Sequence, residues 1–221
     1  FVAEYGDVWN SASTPQTASV TVDVDDMLVV IAGTEDAAAA TVTTPTGGGL
    51  TYTLANKVEI ATYAAANIWT APSSTSQTYT IQMTSGGGLW GFNVLRFSGC
   101  TGAGASTKTN VSSGAPSLAL TTTDDGSVIV VVVGDWNAVD GTSRTWRTVN
   151  GVTPAAGSGE VTYFRDSLHY VMYGGYYSDA GVAGAQTVGL SAPGSQKYSI
   201  VAVEILGRPA EDSPRRHTMW R

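Results

Sequence analysis

The chain has 221 residues, 43% of them hydrophobic and 13% charged, so it can bury a sizeable core and is not a disordered polyampholyte. Its formal net charge of −7 argues against a nucleic-acid surface over most of the molecule. A single cysteine, Cys100, excludes an intrachain disulfide, and the longest apolar run, Val128–Val133, has a strand's length and cannot span a bilayer.

Twenty-six glycines with abundant Thr, Ser and Val favour strands joined by tight turns, and helix formers in amphipathic order are nearly absent. The class read from this is all-β. The first residues, Phe1-Val2-Ala3-Glu4-Tyr5-Gly6-Asp7, carry neither a basic n-region nor an apolar h-region and do not read as a signal peptide.

From Ser19 the chain alternates through Val20, Val22 and Val24, turns at Asp25-Asp26, and runs apolar from Met27 to Ala32 before Gly33. Strand periodicity puts the three valines on one face and Thr21 and Asp23 on the other. The same order recurs at Ser117–Gly134: an alternating segment, a turn at Asp124-Asp125, an apolar run and a glycine. The later parts also correspond. Ile68-Trp69-Thr70-Ala71-Pro72 leads through Tyr79–Met83 and glycines 86–88 to Phe92–Gly99, while Tyr176–Ala180 leads through Gln186–Leu190 and Pro193-Gly194 to Tyr198–Gly207.

The chain therefore reads as one domain, 1–207, made of two pseudo-repeated halves at about 19–99 and 117–207, each of roughly five or six strands. The runs Leu28–Ala32 and Val128–Val133 are apolar on both faces, which predicts a central place in their sheets. Each half could be a small sandwich of its own, or the halves could interleave into one jelly-roll-like sandwich. The second is expected, because a half alone offers little to cover two fully apolar strands. The 101–116 connection reads as a loop. Residues 208–221, with Pro209 and Pro214, read as an extended arm. Arg208, Arg215, Arg216 and Arg221 against Glu211 and Asp212 give the arm +2, leaving −9 on the rest. A basic arm on an acidic body suggests docking on an acidic neighbour, such as another copy.

Candidates for chemistry are few. Only His169 and His217 could serve a nucleophile as base, and no Gly-x-Ser-x-Gly elbow is present. Glu59, Glu160 and Asp166 are the loosest candidates for a glycosidase pair, which needs two carboxylates roughly 5–10 Å apart. One cysteine and two separated histidines cannot build a tetrahedral zinc site. Asp135–Gly141 is rich in oxygen ligands but lacks the spacing and terminal glutamate of a calcium loop. The glycine runs at 47–49 and 86–88 lack the Lys-Ser/Thr of a phosphate loop. The expectation is a non-enzymatic protein with no catalytic residues, no metal and no cofactor. Among the aromatics, Trp136 and Trp146 lie in or near the Gly/Asp/Asn-rich stretch 134–151 and are the expected exposed, ligand-facing pair. In the arm, Met219 and Trp220 read as anchors for a partner's pocket, with Arg215, Arg216 and Arg221 supplying charge contacts.

The apolar run closing on glycine, the Ile68–Pro72 segment, the Thr-rich strand after it and Phe92–Gly99 together resemble virion β-sandwich domains of the minor tail proteins of actinobacteria-infecting tailed phages; the resemblance covers roughly 19–207. Similar modules are appended to secreted bacterial proteins. What the resemblance implies is a structural component of the virion, at the tail tip or baseplate or decorating the capsid, assembled in the host cytoplasm. Its partners would be other virion proteins and copies of itself, with neither nucleic acid nor membrane insertion. The alternative reading is a carbohydrate-binding, receptor-binding β-sandwich module that attaches to host glycans.

Overall fold

The computed structural model describes residues 3–10, 15–35, 41–86, 88–136, 144–156, 158–165 and 170–207. No helix occurs among them. The first half supplies β1 (Ala3–Asn10), β2 (Gln16–Val22), β3 (Met27–Thr34), β4 (Thr53–Glu59), β5 (Ala65–Pro72), β6 (Gln77–Met83) and β7 (Trp90–Phe97). The second supplies β8 (Cys100–Gly114), β9 (Ser117–Thr121), β10 (Val128–Asp135), β11 (Thr145–Trp146), β12 (Ala155–Ala156), β13 (Gly159–Arg165), β14 (Tyr170–Tyr177), β15 (Ala185–Ala192) and β16 (Gln196–Gly207).

These strands form four sheets: β1-β7-β3-β5-β4, β12-β13-β14-β10-β16-β8, β11-β15-β9 and β2-β6. No sheet mixes strands of the two halves, so the expected interleaving does not occur. Instead the two large sheets pack face to face, and each carries a small sheet on its other face. The strands apolar on both sides explain this layering. In β3, Met27, Val29 and Ile31 enter the central core, while Leu28, Val30 and Ala32 enter a second core beneath β2-β6. In β10, Val130 and Val132 face the same central core, and Ile129, Val131 and Val133 enter a third core under β9-β15. Both strands are central, flanked by β7 and β5 and by β14 and β16 respectively. The cover that a single half lacked comes from the other half's large sheet.

Read from one edge, β1-β7-β3-β5-β4 and β8-β16-β10-β14-β13 connect in the same order, and β2-β6 corresponds to β9-β15. Several parts of this were not read as strands from the sequence, β4 and β13 among them. β1 lies before the segment where the pattern begins, and most of the 101–116 connection, expected as a loop, belongs to the long edge strand β8. β8 alternates half-buried and exposed positions, but its inward residues are largely Gly, Ala and Thr, which give almost no hydropathy signal. Val20 and Val22 are buried as alternation requires, whereas Val24 lies beyond the end of β2 in the turn and is exposed.

The large sheets come into close contact at the ends of β3 and β10. A Cβ on Gly134 would sit 2.2 Å from the Ala65 carbonyl oxygen and 2.7 Å from that of Thr34; one on Gly33 would sit 2.9 Å from Cγ of Met172. Both strands therefore run in the same direction, and the Asp turns at their starts share the opposite end of the molecule. Each turn is held by a charged residue from the strand next to it, with opposite polarity in the two halves. Arg96, opposite Leu28, pairs with Asp23 and Asp26 and donates to the Thr21 carbonyl. Glu204, opposite Ile129, accepts the backbone N–H groups of Ala105, Thr123 and Asp124 and the Thr123 hydroxyl at 2.8–3.0 Å. Burial pushes the Glu204 carboxyl up, and these four bonds outweigh it, leaving the group below the usual carboxylate range.

Candidate functional site

The two ends of the stacked sandwiches differ in chemistry. One end carries the Asp turns: Asp23, Asp25, Asp124, Asp125 and Asp179 are all exposed there. Part of this charge is used internally: Asp23 is paired with Arg96, and Asp125 accepts the Ala183 N–H and Asp179 the Gly181 N–H, each at 2.8 Å. Strand β16 ends at the same place. Ile205 pairs with Val128 at the start of β10, and Gly207, from which 208–221 continue, lies opposite Cys100. The arm residues Arg215, Arg216, Met219, Trp220 and Arg221 lie outside the described residues. So do His169, His217 and Asp166.

The other end carries an aromatic and cationic cluster. Trp136 follows the last residue of β10, and its N–H donates to the Lys197 carbonyl at 2.7 Å, extending the β10–β16 pairing by one residue. The Lys197 ammonium lies 4.6 Å from the Tyr63 ring centroid and 5.6 Å from that of Trp136, within cation–π range of both. Tyr63 comes from the β4–β5 turn of the first half, so the cluster spans the junction of the halves. The turn leading into β16 contains a cis Ala192–Pro193 bond, and the start of that strand is anchored by fully buried Gln196. Trp136 is 39% exposed and is the one aromatic among the exposed large hydrophobic side chains of the described residues.

Trp146 departs from expectation. It is 6% exposed, packs edge-on against Tyr173, and its indole N–H donates to Oε2 of Glu160 at 2.6 Å. Glu160 is also paired with Arg144. The loop composition around residues 134–151 pointed to exposure, but β11 pairs with β15 and brings Trp146 into the core under that sheet. Arg144, Trp146 and Glu160 line an open groove of about 390 Å³ together with Pro154, Ala155 and Ala156. Glu59 is tied to Lys57 at 2.8 Å and to the Asn67 amide at 3.2 Å. Glu59 and Glu160 thus sit on strands of different sheets, each with partners of its own. A second groove, of about 460 Å³, runs between Lys57–Ile60 of the first half and Lys108–Asn110 of β8.

Asp135, the first residue of the oxygen-rich loop, is buried and accepts the Tyr173 hydroxyl at 3.0 Å, which turns it away from a surface ion. Residues 137–141 of that loop lie outside the described residues. Among the described residues no group of three His, Cys, Asp or Glu side chains could hold a metal ion, and no helix is long and apolar enough to cross a membrane. The Cys100 thiol is half-buried and donates to the Ser98 carbonyl.

No family model matches the chain, and no curated protein or solved structure matches it.

The Tyr63–Lys197 contact was out of reach of sequence reasoning. The two residues lie far apart in the chain, in different halves, and only the face-to-face packing of the large sheets joins them. Trp136 itself was legible as an aromatic at the edge of a Gly/Asp-rich segment.

Proposed function

We propose that this chain is a non-enzymatic structural component of a phage virion, a minor tail protein of the tail tip or baseplate that assembles with copies of itself and with other virion proteins. The observation that carries this reading is the placement of charge. The basic arm continues from a strand that ends beside five exposed aspartates, so each copy would present an acidic end together with a cationic segment able to reach a neighbour's acidic end. Such complementarity steers association and fixes orientation. An arm docking onto a neighbouring copy is an assembly device rather than a catalytic one.

Two further observations support it. The order β1-β7-β3-β5-β4 beside β2-β6, matched by β8-β16-β10-β14-β13 beside β9-β15, supports a reading as two pseudo-equivalent jelly-roll-like halves. The resemblance of residues 19–207 to virion sandwich domains points the same way. The reading is tested by antibody labelling of purified particles of the encoding phage, viewed by electron microscopy. Label at the tail tip or baseplate is expected, label over the head would favour a capsid decoration protein, and particles free of the chain would overturn the proposal.

A further inference from the structure

We infer that Trp136, Tyr63 and Lys197 form a recognition site for a carboxylate-bearing saccharide. The site is independent of where the protein is assembled, because it lies at the end of the molecule opposite the acidic turns and needs no second copy.

Three observations lead to this class of ligand. First, Lys197 has no carboxylate partner among the described residues, although the chain as a whole is acidic; its ammonium is held by two aromatic rings instead of an anion. Lys57, Arg96 and Arg144, by contrast, are each paired with an Asp or Glu. An ammonium positioned over aromatic rings attracts an incoming carboxylate. Second, Trp136 is the one exposed aromatic side chain among the described residues. The apolar C–H face of a pyranose ring covers such a surface with little loss of ligand hydration. Third, the site is preorganised. The backbone bond from Trp136 to Lys197, the adjoining Asp135–Tyr198 pair and buried Gln196 hold the two backbones together at one sheet end, which limits the protein ordering that binding requires. A neutral sugar would use the indole alone. A simple carboxylate would use the ammonium alone. A uronic or sialic acid uses both.

The test uses the full chain and four probes: tetragalacturonate and sialyllactose as carboxylated saccharides, galactotetraose and lactose as their neutral counterparts. Binding is followed by Trp fluorescence and by titration of the amide resonances. At least one carboxylated probe is expected to bind saturably and at least ~10-fold more tightly than its neutral counterpart, with the shifts centred on residues 63, 136 and 197. Trp136→Ala and Lys197→Gln should each weaken binding ~10-fold or more, while Lys197→Arg retains most of it because the charge and the ring contact survive. Melting curves of the variants separate a lost site from a lost fold; should Trp136→Ala unfold, the Lys197→Gln and Lys197→Arg pair decides alone. Failure of both carboxylated probes to bind, equal binding of acidic and neutral saccharides, or binding unchanged in Lys197→Gln would each overturn the inference.

Discussion

Glu204 is a buried carboxylate whose whole hydrogen-bonding capacity is spent on one turn and one strand, which makes its removal informative. Glu204→Gln preserves shape. If the amide oxygen takes the place of Oε1, it keeps the N–H groups of Thr123 and Asp124, and the Thr123 hydroxyl can reverse to accept from the new amide nitrogen. The Ala105 N–H is then left facing a donor. One orphaned N–H costs about 1–3 kcal/mol, and loss of charge assistance adds to it, so a destabilisation of about 2–3 kcal/mol is expected. Glu204→Ala orphans three N–H groups, two of which border an exposed turn and can be rehydrated, so about 3–5 kcal/mol is expected there. For a chain of this size that corresponds to a melting-point loss of roughly 6–20 °C.

The pH dependence has a definite sign. The folded-state carboxyl lies below its ordinary value of 4.5, so the unfolded chain binds the proton more readily and stability rises with pH in that window. The Glu204 contribution is fully present above about pH 4.5 and is lost as pH falls through the folded value. Urea unfolding followed by Trp fluorescence should therefore show a gap between wild type and Glu204→Gln that is largest near pH 7 and shrinks toward pH 3, roughly by the charge-dependent part of the bond energy. A gap below about 0.5 kcal/mol at neutral pH, or one that stays constant on acidification, would refute the reasoning.

Other consequences can be checked with the same unfolding assay. Gly134→Ala forces a methyl into the Ala65 and Thr34 carbonyl oxygens and should cost about 2–3 kcal/mol or more, while Gly102→Ala, with open space around it, should stay within about 0.5 kcal/mol. Arg96→Met leaves Asp26, which is 2% exposed, without its guanidinium and should cost about 3 kcal/mol, whereas Lys57→Ala at the half-exposed Lys57–Glu59 pair should cost about 1 kcal/mol or less. Tyr177→Phe removes a hydroxyl that donates to the Gly189 carbonyl and accepts its N–H, a loss of about 1–3 kcal/mol; burial pushes this phenol up to about 12, although the Gly189 bond pulls it down, so a spectrophotometric titration should find it un-ionised at pH 10. Because the central core draws on both halves, Val132→Ala should lower one cooperative transition rather than split it into two, as calorimetry would show.

The parts of this fold that were legible in the sequence are those where one residue type decides the outcome. Val20 and Val22 alternate because one face of β2 is dry, and the unbroken runs in β3 and β10 follow from cover on both faces. The arrangement of the halves was not legible, because a doubly apolar strand is satisfied equally by interleaving and by back-to-back stacking. Nothing local distinguishes the two. β8 escaped notice since Gly104 replaces a bulkier inward residue: a Cβ there would meet the Glu204 carboxylate at 2.5 Å, so the charge that secures the turn also removes the hydrophobic mark of the strand. Trp146 misled for a related reason. Its neighbours look like a loop, but a two-residue strand and the Glu160 carboxylate provide it with a core and a hydrogen-bond partner.

Assembly through the arm is tested most directly by size-exclusion chromatography with light scattering on the full 22.8 kDa chain and on a 1–207 truncation, at low and at high salt. A multimer for the full chain, dissolving toward monomer as salt approaches ~1 M, and a folded monomer for the truncation are expected, because screening weakens contacts between exposed charges. Two identical monomers, or a truncation that assembles as well as the full chain, would contradict an arm that binds the acidic end of a neighbouring copy.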